Sequence, residues 1–220
     1  MYLSRVYLNP VRRGSRRLLA SPHAMHAAIL AGFPPGVIKD RGGGPRLLWR
    51  VDELDRHRVV LYVVSPLRPD LQPVVEQAGW ETEEGRPAVR DYGPILESIA
   101  NGQVWRFRLA ANPTYRKSSG EGARGKVLGH VTASQQLEWL LSRSQRAGFA
   151  IPVHEDVPLV SVIRREIKTF QRGSSRVTLS TATYQGHLEV TDPETLRTTL
   201  ISGLGRGKGY GCGLLTLARA

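Results

Sequence analysis

The feature that most constrains this chain is an order of strands and helices that the sequence runs through twice. Residues 2–8 are rich in aromatic and aliphatic side chains and stop at Asn9 and Pro10, which predicts a strand. Ser21 followed by Pro22 is a helix start, a capping hydroxyl ahead of proline at the first helical position, and Met25, Ile29 and Leu30 follow it. The intervening arginine-rich stretch reads as a basic loop. Residues 46–51 and 58–65 are β-rich runs separated by a polar turn, and residues 71–78 form a short amphipathic segment. The order β, α, β, β, α is the ferredoxin-like pattern.

A second cycle begins near Val104. Residues 104–111 predict a strand, and residues 132–147 an amphipathic helix with Leu137, Leu140 and Leu141 on its apolar face. Residues 157–170 and 177–190 then form a long hairpin around the basic turn 171–176. A helix over 192–202 and a last strand over 213–218 complete the cycle. The segments RVYLNPVRR (5–13) and FRLAANPTYRK (107–117) echo one another as strand, Asn-Pro, basic loop, which an internal duplication explains. The expected fold is therefore α+β, with two tandem ferredoxin-like (βαββαβ, RRM-like) domains over residues 1–90 and 91–220. The boundary is placed in the polar stretch 81–95, which holds Gly85, Pro87, Gly93 and Pro94.

Charge narrows the partners. The net charge of +12 favours a polyanion. Residues 1–50 carry nine Lys and Arg against one Asp or Glu and residues 101–150 eight against two, whereas residues 51–100 carry five against ten. Segregation of this kind predicts one face for phosphate and another for protein or solvent. Cys212 is the only cysteine, so neither an intrachain disulfide nor a cysteine-based zinc site is available, which fits a reducing cytoplasm. No apolar run reaches the roughly 20 residues of a membrane-spanning helix, and no cleavable leader is evident at the N-terminus. Neither a membrane partner nor a cofactor is expected.

Three stretches offer chemistry. Residues 203–213, GLGRGKGYGCG, place glycine at every second position, with Arg206 and Lys208 between. Such a backbone can turn its N–H groups to a phosphate at Gly205 and Gly207 while the cations supply charge, the alternative being a flexible hinge. Arg12, Arg13, Arg16 and Arg17 precede His23 and His26, which stand three apart at the start of a helix, where the dipole favours an anion. RNA transesterification needs a group to deprotonate the 2′-OH, one to protonate the leaving 5′-oxygen, and cations around the phosphorane. The alternative is one packed histidine and one on the surface. As metal ligands the pair is weaker, since no carboxylate or cysteine lies nearby in sequence. Arg164, Arg165, Lys168, Arg172 and Arg176 lie on the long hairpin, where they suit the phosphates and 2′-hydroxyls of an RNA stem, unless the hairpin is simply solvated.

The opening MYLSRVYLNP, the segment SPHAMH (21–26), FRLAANP (107–113), YQGHLEVTDPE (184–194) and the terminal GLGRGKGYGCGLLTLA resemble the CasE family. These are the crRNA-processing endoribonucleases of type I-E Cascade, within the RAMP superfamily. The resemblance covers nearly the whole chain. It implies two tandem ferredoxin-like domains and recognition of the CRISPR repeat hairpin, in pre-crRNA and crRNA. It also implies metal-free cleavage at the stem base to a 2′,3′-cyclic phosphate, and retention of the product together with other Cascade subunits. By position His26 matches the family's catalytic histidine, while His23 stands where some relatives have tyrosine. The hairpin with Arg164, Arg165 and Lys168 resembles the one that reads the stem base, and residues 203–213 resemble the family's glycine-rich loop. The competing class is a non-catalytic RNA-binding subunit of the same superfamily. A metal-dependent nuclease would need clustered carboxylates that the sequence lacks.

Overall fold

The computed structural model describes residues 1–38, 46–82, 85–117 and 126–219. The first half contains β1 (Tyr2–Leu8), α1 (Arg13–Ala20), α2 (Pro22–Leu30), β2 (Leu48–Glu53), β3 (Val59–Ser65), α3 (Gln72–Ala78), β4 (Ala88–Asp91) and α4 (Gly93–Glu97). Its sheet is antiparallel in the order β2-β3-β1-β4.

The second half contains β5 (Val104–Ala111), β6 (Thr114–Lys117), β7 (Lys126–Gly129) and α5 (Ala133–Ser144). After the two-residue strands β8 (Phe149–Ala150), β9 (Val153–His154) and β10 (Val157–Pro158) come β11 (Val160–Arg172), β12 (Ser175–Val190), α6 (Pro193–Ser202) and β13 (Leu215–Arg219). The main sheet runs β11-β12-β5-β13, again antiparallel, with β8 pairing β12. Matching β5 to β1, β11 to β2, β12 to β3 and β13 to β4 makes the two strand orders identical, which is the tandem ferredoxin-like fold the sequence predicts.

Side-chain alternation explains how the sheets pack. On one face of the first sheet, Val6, Leu8, Trp49, Leu61 and Val63 are buried against Leu18, Met25, Ile29 and Val74 of the helices. On one face of the second, Phe107, Leu109 and Tyr184 meet Trp139, Leu140, Leu196 and Leu200. Leu48 and Val64 point the other way and join the core of the second half, so the sheets also face one another.

A buried ion pair crosses that junction. Arg50 is 2% exposed, and its Nε and Nη2 donate to the two carboxylate oxygens of Asp52 at 2.7 and 2.8 Å. Its remaining N–H groups donate to the backbone carbonyls of Arg108 (2.8 Å) and Leu214 (3.1 Å) and to the Thr216 hydroxyl (2.9 Å). All five guanidinium donors are thereby used, three of them on the other half of the chain.

One expectation is corrected, and one stretch holds more structure than its composition suggests. The stretch holding Arg12, Arg13, Arg16 and Arg17 is not a loop, because Arg13–Ala20 is helix α1, with Ser15 and Leu18 buried and Arg13, Arg16 and Arg17 exposed. Gly14, which reads as a loop residue, marks a close approach instead, since a Cβ there would lie 2.0 Å from the Gln77 carbonyl oxygen. The polar stretch 81–95, of which residues 83 and 84 lie outside the described residues, holds β4 and the start of α4. β4 is a half-exposed edge strand too short to show periodicity.

Candidate functional site

Helix α2 starts where the capping pattern predicts, with the Ser21 hydroxyl accepting from the Ala24 amide at 3.3 Å and Pro22 at the first position. Pro22, Met25 and Ile29 face the core. This leaves His26 half-buried at the core's edge and His23 exposed.

The glycine-rich segment links α6 to β13 and folds back on itself. The Leu204 amide donates to the Gly213 carbonyl at 2.9 Å and the Gly213 amide to that of Ala110 at 2.6 Å, and Lys208–Tyr210 forms a single 3₁₀ turn. Gly203, Gly205, Gly207, Gly211 and Gly213 all have φ between 78° and 94°, the left-handed region that penalises a Cβ. The 3₁₀ turn packs against α2, and a Cβ built on Gly209 would lie 3.7 Å from His26 Nε2. His26 is thus brought to the loop, while His23 stays at the open side of the same helix.

Beside this contact a hollow is lined by Arg46, Arg206, Lys208, Gly207, Gly209 and Tyr210, and among the described residues no aspartate or glutamate lines it. Lys208 is half-buried, and desolvation, helped by the charge of Arg46, lowers its pKa. The charge of a bound phosphate would favour the protonated amine and so work against both effects. Sequence reasoning missed Arg46 and Tyr210. Tyr210 could have been noticed as the aromatic in a run of small and basic residues, and its ring meets Phe170 of β11 edge-on at 5.0 Å.

The remaining predicted cations differ in how free they are. Arg13, Arg16 and Arg17 on α1, and Arg172 and Arg176 at the hairpin tip, are exposed and have no carboxylate partner among the described residues. Arg12 instead ties α1 to its surroundings, donating to the Glu76 and Gly79 carbonyls (2.6 and 3.1 Å) and pairing with Glu81 at 3.0 Å. Arg165 donates to the Val131 carbonyl. Arg164 pairs with Glu53 at 2.7 Å and Glu166 at 2.6 Å, and Lys168 with Glu166 at 3.2 Å. Burial alone would raise the pKa of Glu166, but Lys168 and Arg164 outweigh it and hold the carboxyl below its ordinary value. Arg164 and Lys168 therefore reach an RNA only beside two carboxylates.

Cys212 is buried in the loop, and desolvation pushes its thiol up to about 12, which makes it a packing residue rather than a nucleophile. Among the described residues no three His, Cys, Asp or Glu side chains converge as metal ligands, and no helix is long and apolar enough to cross a membrane.

The arrangement sets an imidazole against Gly209 of a glycine-rich turn whose cations line a hollow, and known proteins share its frame. The chain is 31% identical, over 99% of its length and 100% of the relative's, to the CRISPR-associated endoribonuclease Cse3 of Thermus thermophilus. A structure of CRISPR endoribonuclease Cse3 bound to 19 nt RNA superposes with a TM-score of 0.80 at 30% identity, covering 99% of this chain and 100% of that one. Thermus thermophilus Cse3 bound to an RNA representing a pre-cleavage complex gives 0.77 at 30% identity, covering 99% and 98%. Residues 1–219 match the family described as CRISPR associated protein, and the chain belongs to that family.

Proposed function

We propose that the chain is a metal-independent endoribonuclease that recognises the CRISPR repeat hairpin, cuts pre-crRNA at the stem base and stays on the crRNA among the other Cascade subunits. The observation that carries this reading is the placement of His26 against Gly209, inside a glycine-rich turn flanked by Arg206 and Lys208. Attack of the 2′-oxygen on the adjacent phosphorus forms the 2′,3′-cyclic phosphate and breaks the P–O5′ bond, one proton leaving the 2′-OH and one reaching the 5′-oxygen. His26 and His23 handle these protons, and the Gly205 and Gly207 backbone with Arg206 and Lys208 holds the phosphate.

The two halves divide the work. Residues 1–90 supply the histidines and the arginines of α1, namely Arg13, Arg16 and Arg17, with Arg12 fixing the helix. Residues 91–220 supply the glycine-rich loop and the hairpin cations Arg164, Arg165, Lys168, Arg172 and Arg176. The relatives' names, as endoribonucleases and in complexes with RNA, support the same substrate class.

A synthetic repeat hairpin from the array beside the gene tests the reading. Cleavage is expected to survive excess EDTA, because proton transfer and charge stabilisation both come from side chains. It is expected to stop when the nucleotide 5′ of the scissile phosphate lacks its 2′-OH. Loss with chelator and rescue by magnesium would show a metal enzyme, and cutting of the deoxy substrate would remove the 2′-OH as nucleophile. Binding of the uncut hairpin without any cleavage would favour the non-catalytic RNA-binding class.

The hairpin cations make a graded prediction. Replacing Arg172 and Arg176 with alanine is expected to reduce the slope of log K against log salt by roughly 0.7 to 0.9 for each phosphate no longer neutralised. Arg164→Ala should change the slope less, because Glu53 and Glu166 already neutralise that guanidinium. A slope unchanged from the parent in the Arg172 and Arg176 variants would mean that the tip does not touch the backbone.

A further inference from the structure

The β6–β7 hairpin plays no part in the site described above, and its sequence drew no expectation beyond the echo that ends in it. It projects beyond β5 immediately after Pro113 and is held at its base. The Ser180 hydroxyl donates to the His130 carbonyl at 2.7 Å, Arg165 donates to that of Val131, and Asn112 forms an isolated β-bridge with Arg206 of the glycine-rich loop. Its orientation is therefore fixed relative to the opening at His26.

Its register sorts its side chains. Thr114 pairs with Gly129, Tyr115 with Leu128, Arg116 with Val127 and Lys117 with Lys126. Gly129 turns toward the long hairpin, where a Cβ would lie 2.7 Å from the Ser180 Cβ. Alternation then places Tyr115, Lys117, Lys126, Leu128 and His130 together on the opposite face. Tyr115 is 43% exposed and its ring lies 4.9 Å from that of His130, tilted by 40°.

Two features of this face call for a ligand. Lys117 and Lys126 stand directly opposite each other across an antiparallel pair, where like charges destabilise a hairpin. Both are exposed and neither has a carboxylate partner among the described residues. An anion lying across the pair removes the penalty. The exposed ring of Tyr115 beside the lysines offers a flat face, and cations interleaved with accessible rings are the means by which proteins hold single-stranded nucleic acid without reading its sequence. A duplex would hide its base faces from the ring. A polyanion with exposed bases satisfies both features at once.

We propose that this face of the β6–β7 hairpin binds unpaired nucleotides flanking the repeat stem, with a base on Tyr115 and a phosphate between Lys117 and Lys126. The proposal rests on the endoribonuclease reading for the source of the RNA. The bridge from Asn112 to Arg206 sets the face beside the loop that holds the scissile phosphate, so strand leaving the stem base is led onto it.

The test measures affinity for three uncleavable RNAs: the 2′-deoxy-blocked stem alone, the same stem with its single-stranded flanks, and an unstructured oligoribonucleotide of similar length. The flanks are expected to tighten binding by wild-type protein. Tyr115→Ala should remove roughly tenfold or more of that gain while leaving affinity for the bare stem unchanged, and Tyr115→Phe should retain it, because stacking requires the ring and not the hydroxyl. Lys117→Ala and Lys126→Ala should each lower the salt slope for the flanked RNA by about 0.7. The idea is overturned if the flanks bring no gain, if the gain persists in Tyr115→Ala, or if the bare stem is weakened equally. A face indifferent to all three RNAs would be one for protein. Should the chain fail to cut any repeat, the enzymatic reading falls by itself, and the unstructured RNA still decides whether this face binds unpaired nucleotides, since Tyr115→Ala must weaken its binding.

Discussion

His26→Ala is expected to lower the single-turnover cleavage rate by about 10²-fold or more while changing hairpin affinity by less than about twofold. The imidazole is half-buried against the glycine-rich turn, so its loss removes a proton-transfer group without touching the cations that hold the RNA. His23→Ala should cost less, since His23 is exposed one turn earlier. Gly209→Ala gives an independent reading of the same place. Its backbone accepts a side chain, and the added methyl sits in ordinary contact with the imidazole, where it restricts the ring's approach to the substrate. That variant should fold normally and cut slowly. If His26→Ala cuts at the parental rate, the site lies elsewhere.

The second large effect is on stability. Arg50→Ala leaves Asp52 buried, with Arg108 at 3.3 Å as a cation still in reach, and takes the Arg50 donors away from the Arg108 and Leu214 carbonyls and the Thr216 hydroxyl at the junction of the sheets. Breaking a buried pair from one side costs about 3–5 kcal/mol. For a chain of this size that shifts the melting temperature by roughly 10 °C. Replacing both partners, as in Arg50→Met with Asp52→Leu, should cost distinctly less, because no lone charge is left in the interior. Thermal melts of the single and double variants beside the parent check this, and a single mutant as stable as the parent would mean that the junction is open to water.

Much of the frame was legible because it rests on periodicity and punctuation. The strands at residues 2–8 and 104–111, the start of α2 at Pro22 and the long hairpin all carry local signals strong enough to survive tertiary packing. Helix α1 was not legible, because Gly14 reads as a breaker until α3 is seen to pass within contact distance of it. Nor was the Arg50 network, since a basic residue inside a strand looks like a surface residue until a second sheet covers it. At the candidate site, spacing singled out the pair His23 and His26 and the glycine run, but not the contact between His26 and Gly209, which depends on two segments about 180 residues apart. Sequence charge could not separate Arg164, held by Glu53 and Glu166, from Arg172 and Arg176, which have no carboxylate partner among the described residues.

The glycine-rich loop has one more consequence, for how such a protein changes over generations. Every odd position from 203 to 213 is glycine, and a Cβ would collide with Leu48 at 203 (2.7 Å), with the Trp139 ring at 205 (3.0 Å) and with the Trp49 ring at 211 (2.7 Å). The even positions 206, 208 and 210 line the hollow beside His26. Scaffold and reading surface are thus interleaved residue by residue within one short segment. Arg206, Lys208 and Tyr210 can be exchanged singly at little cost to the fold, so selection at these positions acts on what the hollow holds and not on whether the chain folds. A library randomised at those three codons should consist mostly of folded proteins, and one randomised at 203, 205 and 211 mostly of misfolded ones.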